Sequence, residues 1–268
     1  MGNFLLAVRD INHKYIVVDE RKTSLKTLCG NKNIIELEGT NNTRDLGNYK
    51  TKSGNITLSN VFIRSDTTAN LTSIDIDKIV NKLNITKVID LRTNDEILAA
   101  PSRLVGLNNV KYVNVALPLD VVPNNKITSS IEDIYINILE LFKKQFCTIF
   151  EELGDSNNCL FHCTGGKDRT GLVSMLLLDL ADVKEKSIVR DYLLTEICMK
   201  DEFKVLKSKI KHGICSIPLY AVDCNKSTIQ NTLEYIKKNY GNSNKYLCQC
   251  GVQETCLKMI RRKFLSYR

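Results

Sequence analysis

Asn158-Cys159-Leu160-Phe161-His162-Cys163-Thr164-Gly165-Gly166-Lys167-Asp168-Arg169-Thr170-Gly171 is the stretch from which the rest of this chain can be read. Its opening run, through Phe161, is short and mostly apolar, as expected of a strand covered on both faces. The two adjacent glycines then allow a tight loop. From Arg169 to Leu180 the pattern is helical. Leu172, Val173, Met175, Leu176, Leu177, Leu178 and Leu180 make that helix apolar on nearly every side. Strand, glycine loop and core helix form an α/β unit. Its loop lies at the carboxyl end of a central strand, where open sheets carry their ligands.

The flanks agree with this reading. Thr86 to Leu91 reads as a second interior strand, and Val110 to Val115 as a more alternating one. Shorter strands are expected at Ile34 to Leu37 and at Asn60 to Arg64. Helical spacing covers 71–84, with Thr72 or Ser73 as its cap. One long amphipathic helix is expected from Ile131 to Leu153, capped by Ser130. A loop with Pro118 and Pro123 precedes it. Further helices fall at 184–197, 200–211, 226–239 and 252–265, so the C-terminal region is helical. At the other end, 4–8 and 14–18 read as two short strands about a polar turn.

Composition sets outer bounds. The 268 residues are 43% hydrophobic and 25% charged, enough for one large α/β domain. The net charge of +8 suits anionic partners without choosing among them. The densest basic cluster, Lys258, Arg261, Arg262, Lys263 and Arg268, reads as the solvated face of a terminal helix. No apolar run reaches about 18 residues, so no membrane span is expected. Arg9 and Asp10 interrupt the apolar start too early for a signal-peptide core. Leu6 stands where a myristoylation signal wants Ser or Thr. The ten cysteines are therefore read as free thiols in a reducing, cytoplasmic setting. Cys248, Cys250 and Cys256 have poor zinc spacing and no nearby histidine, so no metal is expected. Tyr and Lys residues at 235–246 read as helix packing rather than as a nucleic-acid surface.

The chemistry lies in 162–171. Nucleophilic attack by cysteine needs the thiolate, and a free thiol with pKa about 8.5 is mostly protonated near neutrality. Backbone N–H groups from Thr164 to Arg169 can converge on one point, and the amino end of the following helix adds its own. Such a cradle favours an anion at Cys163 and also holds the outer oxygens of a phosphate monoester. The planar fork of Arg169 can bind two of those oxygens. Thr170 can donate its hydroxyl to the sulfur of Cys163. His162 is expected to order the loop rather than to act as a base. A carboxylate beside a phosphate needs a purpose. Asp168 either protonates the departing oxygen and then takes a proton from water, or pairs with Arg44, Arg64 or Arg92 and braces the loop. Lys167 either meets a second substrate phosphate or is solvated at the rim. Cys159, four residues before Cys163, is a conceivable backup thiol that nothing else indicates.

The loop resembles that of cysteine-based tyrosine phosphatases, in the atypical bacterial branch that reads His-Cys-x-x-Gly-Lys-Asp-Arg-Thr-Gly. Three more segments are similar: Asn42-Thr43-Arg44-Asp45-Leu46-Gly47-Asn48-Tyr49, Val61-Phe62-Ile63-Arg64-Ser65, and Val88-Ile89-Asp90-Leu91-Arg92-Thr93-Asn94-Asp95-Glu96. Thr43 and Asn48 depart from the usual Phe and Gly. The resemblance covers about 34–265. It implies a central, mostly parallel sheet flanked by helices, and a catalytic domain over 34–268 with 1–33 as a strand-like extension. It also implies hydrolysis of phosphotyrosine, and of phosphoserine or phosphothreonine as well, through a phosphocysteine with no cofactor.

The resemblance further places Thr164, Gly165, Gly166, Lys167 and Arg169 around a bound phosphate and makes Asp45, Arg64 and Asp90 supports of the pocket. Asp90 and Asp120 stand as other candidates for the acid. The lysine–aspartate pair is associated in this branch with phosphoinositide hydrolysis. The partner is thus a phosphoprotein or a phosphoinositide, and a non-catalytic phosphate binder remains the third reading.

Overall fold

The computed structural model describes residues 33–119, 130–215 and 218–266, together with the backbone of 8–9 and 15–16. At the amino end, β1 (Val8–Arg9) pairs antiparallel with β2 (Tyr15–Ile16), in the region read as two short strands. The main sheet uses β3 (Arg44–Asp45), β5 (Phe62–Ser65), β6 (Lys87–Asp90), β7 (Lys111–Asn114) and β8 (Cys159–His162). A small separate ladder joins β4 (Ile56–Thr57) to the terminal β9 (Leu265–Ser266).

The main sheet runs β3-β5-β8-β6-β7. All pairs are parallel except β3 with β5, which is antiparallel at the edge. The strand before the glycine loop is therefore central, and β5, β6 and β8 are buried along their whole length. His162 is level with both Ser65 and Asp90. Three carboxyl ends therefore finish on one line, at the loop.

Alternate strand residues feed two separate cores, as the two-residue period of a strand requires. Ile63, Val88 and Leu160 face one core with Leu71, Ile79 and Leu104. Phe62, Ile89 and Phe161 face the larger one with the C-terminal helices. On the smaller side lies α1 (Ser73–Asp77), continued by a π turn at Lys78–Lys82, and α2 (Asn94–Ala99) follows β6. The predicted Thr72 cap is present as a capping box with Asp75. That carboxylate also accepts the N–H groups of Glu38 and Gly39, at 2.7 Å each.

The larger side holds α3 (Ile131–Leu141), α4 (Lys143–Gly154) and α5 (Arg169–Leu180), then α6 (Glu185–Cys198) and α7 (Lys200–Lys211). A 3₁₀ turn at Leu219–Val222 leads to α8 (Lys226–Tyr240), α9 (Ser243–Cys250) and α10 (Glu254–Phe264). The single helix expected over 131–153 is thus two, broken at Phe142. The apolar stripe runs on through the break, so periodicity could not reveal it. The expected strand at Ile34 to Leu37 is reduced to one bridge, Ile34 with Arg44.

The solvated basic face is corrected at one position. Lys263 donates to the carbonyls of Leu153, Gly154 and Ser156, closing the end of α4, and burial lowers its pKa to about 8. Among the described residues no helix is long and apolar enough to cross a membrane.

Candidate active site

The loop after β8 is held by its carbonyls. Leu91 donates its N–H to the His162 carbonyl at 2.8 Å, and Thr67 donates to the Thr164 carbonyl at 3.0 Å. The Asn42 amide donates to the Gly165 carbonyl at 2.9 Å, and Arg64 Nη2 donates to the Gly166 carbonyl at 2.6 Å. In a trans peptide the N–H points opposite to the C=O. Tying these carbonyls outward therefore turns the N–H groups of Gly165, Gly166 and Lys167 to the other side. Among the described residues nothing accepts from them. N–H groups grouped and unpartnered in this way are suited to receive an anion.

The two glycines do different work. Gly166 has φ +62°, and a Cβ there would lie 2.7 Å from Asp66 N and Ser65 O. No other residue fits without moving β5. A Cβ on Gly165 would meet nothing within 4 Å, so this residue faces open space at the mouth.

Arg169 begins α5 and is buried. Its Nη1 and Nη2 donate to the two oxygens of Glu96 at 2.6 and 2.7 Å, a bidentate clamp. Glu96 also accepts from the Thr164 hydroxyl. Burial would raise its pKa, but the Arg169 fork overrides this and holds it at about 2. Glu96 stands in the motif Thr93-Asn94-Asp95-Glu96, where it was quoted without a role. Its place three residues after the Thr93 cap of α2 was the available signal. Thr170 is completely buried, and its hydroxyl has no partner among the described residues. The expected hydrogen bond to the sulfur of Cys163 is therefore not formed.

Lys167 and Asp168 depart furthest from expectation. Lys167 is neither at the rim nor solvated. Its ammonium donates to the carbonyls of Tyr220 at 2.7 Å, Ala221 at 3.0 Å and Asp223 at 2.9 Å. It pins the 3₁₀ turn against the glycine loop. Asp168 pairs with none of the three arginines. Its Oδ1 accepts from the Tyr135 hydroxyl at 2.6 Å and lies 3.4 Å from the Lys167 ammonium. Both contacts fall on the same oxygen, and no hydrogen bond to Oδ2 is formed among the described residues. Tyr135 in turn shares a hydrogen bond of 2.9 Å with Tyr192.

The remaining predicted supports separate. Arg64 touches the loop directly. Asp90 is fully buried and paired with Arg92, with contacts of 2.7–3.1 Å, and it accepts from Tyr112. Burial opposes its charge, yet His162 and Arg92 hold its pKa well below the carboxylate range. A carboxylate so placed has no proton to give, so the geometry removes it as an acid and leaves it a brace for β6. Asp45 accepts the N–H groups of Gly47 and Asn60 and ties the turn after β3, not the loop. Asp120 lies outside the described residues. His162 is fully buried, its ring within 3.3 Å of the Thr68 hydroxyl, and burial lowers its pKa to about 4. Burial pushes the Cys159 thiol up to about 12, which makes it inert as a backup nucleophile.

Asp191 on α6 was missed by sequence reading. It receives Arg44 Nε at 2.9 Å, Arg64 Nη1 at 2.5 Å and the Tyr49 hydroxyl at 3.1 Å. Burial works against its charge, and the two arginines keep its pKa below the ordinary range. It is an ordinary polar residue within a helical pattern, and nothing local marks it. A groove of about 710 Å³ along α6, lined by Val189, Leu193 and Ile197, contains none of the loop residues. The glycine loop instead groups the Cys163 thiol, the buried Arg169 guanidinium and the partly exposed Asp168 carboxylate on one short segment.

The chain is 31% identical to a tyrosine-protein phosphatase of Nostoc commune over 162 residues, which is 58% of this chain and 55% of that one. It is 25% identical to a provisionally named tyrosine-protein phosphatase of Cupriavidus necator, over 57% of this chain and 59% of the other. The matched part thus spans a little over half the length of these curated relatives. Among solved structures, TpbA of P. aeruginosa aligns over 52% of this chain and 71% of its own, at 14% identity and a TM-score of 0.30. The profile of the tyrosine phosphatase family matches residues 35–266, and the chain belongs to that family.

Proposed function

We propose that this protein hydrolyses phosphotyrosine through a phosphocysteine at Cys163. The observation that carries this is the outward anchoring of the Thr164, Gly165 and Gly166 carbonyls, which turns three N–H groups toward the space served by Arg169. In the first step the Cys163 thiolate attacks phosphorus. The P–O bond to the tyrosyl oxygen breaks, and Asp168 gives that oxygen a proton. In the second step Asp168 takes a proton from water. The water oxygen attacks phosphorus, the S–P bond breaks and the thiolate returns with release of phosphate. Arg169 and the loop N–H groups follow the equatorial oxygens through both steps. None of these steps calls for a metal or cofactor.

The decisive experiment is Cys163→Ser with an aryl phosphate. Turnover is abolished and phosphate binding is kept, while the wild-type protein yields a trapped phosphocysteine by mass spectrometry. Retained turnover in the variant sinks the mechanism, and a purely phosphate-binding role requires that no adduct ever form. The phosphoinositide reading needs Lys167 to leave its three carbonyls before it can meet a second phosphate. That sequestration favours phosphotyrosine over phosphoinositide. Catalytic efficiency on phosphopeptides set against soluble phosphoinositides separates these substrates.

A further inference from the structure

The loop's two glycine carbonyls are held by residues from different strands and turns, yet both lines end on one carboxylate. Along one line, Asp191 Oδ2 receives Arg64 Nη1 at 2.5 Å, and the same guanidinium holds the Gly166 carbonyl through Nη2 at 2.6 Å. Along the other, Asp191 Oδ1 receives Arg44 Nε at 2.9 Å, and its own carbonyl receives Arg44 Nη2 at 2.8 Å. Arg44 Nη1 donates to Asn42 Oδ1 at 2.5 Å, and the Asn42 amide nitrogen holds the Gly165 carbonyl at 2.9 Å. Thr195, one turn further along α6, takes a third Arg44 contact at 3.1 Å. Arg44, Arg64 and Asp191 are all essentially without solvent exposure.

A guanidinium is planar, so fixing one edge fixes the direction of the other. An Asn side chain likewise has its amide nitrogen set once its oxygen is held. We infer that Asp191 is a positioning residue for the phosphate cradle, aiming the Gly166 and Lys167 N–H groups through Arg64, Arg44 and Asn42. It touches neither substrate nor the reacting atoms. Its helix follows α5 directly, so the helix that starts at the cradle and the helix that orients it are consecutive. This inference rests on the reading of 163–169 as a phosphate-binding loop.

The test is titration calorimetry with inorganic phosphate, alongside melting temperature, on four variants. Asn42→Ala and Arg64→Lys each cut one line and weaken phosphate binding by about 3- to 10-fold, the worth of one hydrogen bond. Asp191→Asn removes the charge on which both lines end and weakens it by about 100-fold. Tyr246→Phe, which loses only a buried bond to the Leu139 carbonyl on distant helices, lowers the melting temperature and leaves phosphate affinity unchanged. Should Asp191→Asn not fold, the two single-line variants decide the matter. Folded variants that bind phosphate as the wild type does overturn the positioning role alone. A wild-type protein that binds no phosphate overturns both this role and the phosphatase reading.

Discussion

The carbonyls of Gly165 and Gly166 hang on Asn42 and Arg64, which are buried and tied to one carboxylate, whereas Lys167 and Asp168 hang on a short turn and a phenol. The back of the cradle is therefore locked by charge in a buried region. Removing one member of such a set leaves an uncompensated buried ion, at a cost of about 3–5 kcal/mol. The front is closed by a 3₁₀ turn that carries exposed Leu219 and by a carboxylate whose side chain keeps 17% of its surface. The difference separates two tasks. The back must present N–H groups in one fixed direction, since electrostatic stabilisation is strongest when nothing needs to reorient. In the proposed mechanism the front exchanges protons with a leaving group and with water, a task suited to a carboxylate that keeps some exposure.

The strongest way to break this division is Asp168→Asn. Turnover of an alkyl phosphate, a poor leaving group, is expected to fall between about 100- and 10,000-fold. A nitrophenyl phosphate is largely spared, and phosphate affinity holds. An unchanged rate on the alkyl ester would remove Asp168 as the acid and leave Asp120 as the next candidate.

Glu96→Gln tests the back. It keeps the size of the clamp but loses the charge that aims Arg169, so kcat/KM is expected to drop about 100-fold whatever the leaving group. It also has a pH signature. The Glu96 carboxyl lies at about 2 in the fold against an ordinary 4.5. Its contribution to stability is complete above pH 4.5 and is lost as pH falls toward 2. The wild-type melting temperature should lose ground over that window, with a shallower slope in the variant. Equal slopes would show that the Arg169 clamp contributes nothing to stability.

The smallest expected effect belongs to Lys167→Met. Three carbonyls lose their donor, so stability falls by about 1–3 kcal/mol. Activity on phosphopeptides changes by only a few-fold, because no substrate atom is assigned to the ammonium. A much larger drop on soluble phosphoinositides than on phosphopeptides would mean that the front opens in use and frees this lysine for a second phosphate.

The central unit was legible because its signals are local. A buried strand, a glycine pair and an apolar helix follow one another within 23 residues, and periodicity and turn chemistry read such runs well. The helix at Arg169–Leu180 and the strands at Lys87–Asp90 and Lys111–Asn114 fall where the pattern put them. What was illegible lies between segments. Lys167 looked like a rim cation because sequence shows its charge and not the carbonyls of Tyr220, Ala221 and Asp223, more than 50 positions away. Asp90 looked like an acid because it ends a strand beside the loop, and only its contacts with Arg92 show that its proton is gone.

The sequence by itself determined which candidate groups share the loop and in what order. A thiol, two glycines, a carboxylate and an arginine sit on one short loop between a strand and a helix, and covalent spacing alone brings them together. The tertiary structure decided which way those groups face and which carboxylates remain available. Peptide direction depends on the partner of each carbonyl, and those partners, Asn42, Thr67 and Arg64, come from elements about 100 residues earlier in the chain. Availability of a proton depends on burial and on neighbouring charge, and the folded packing supplies both.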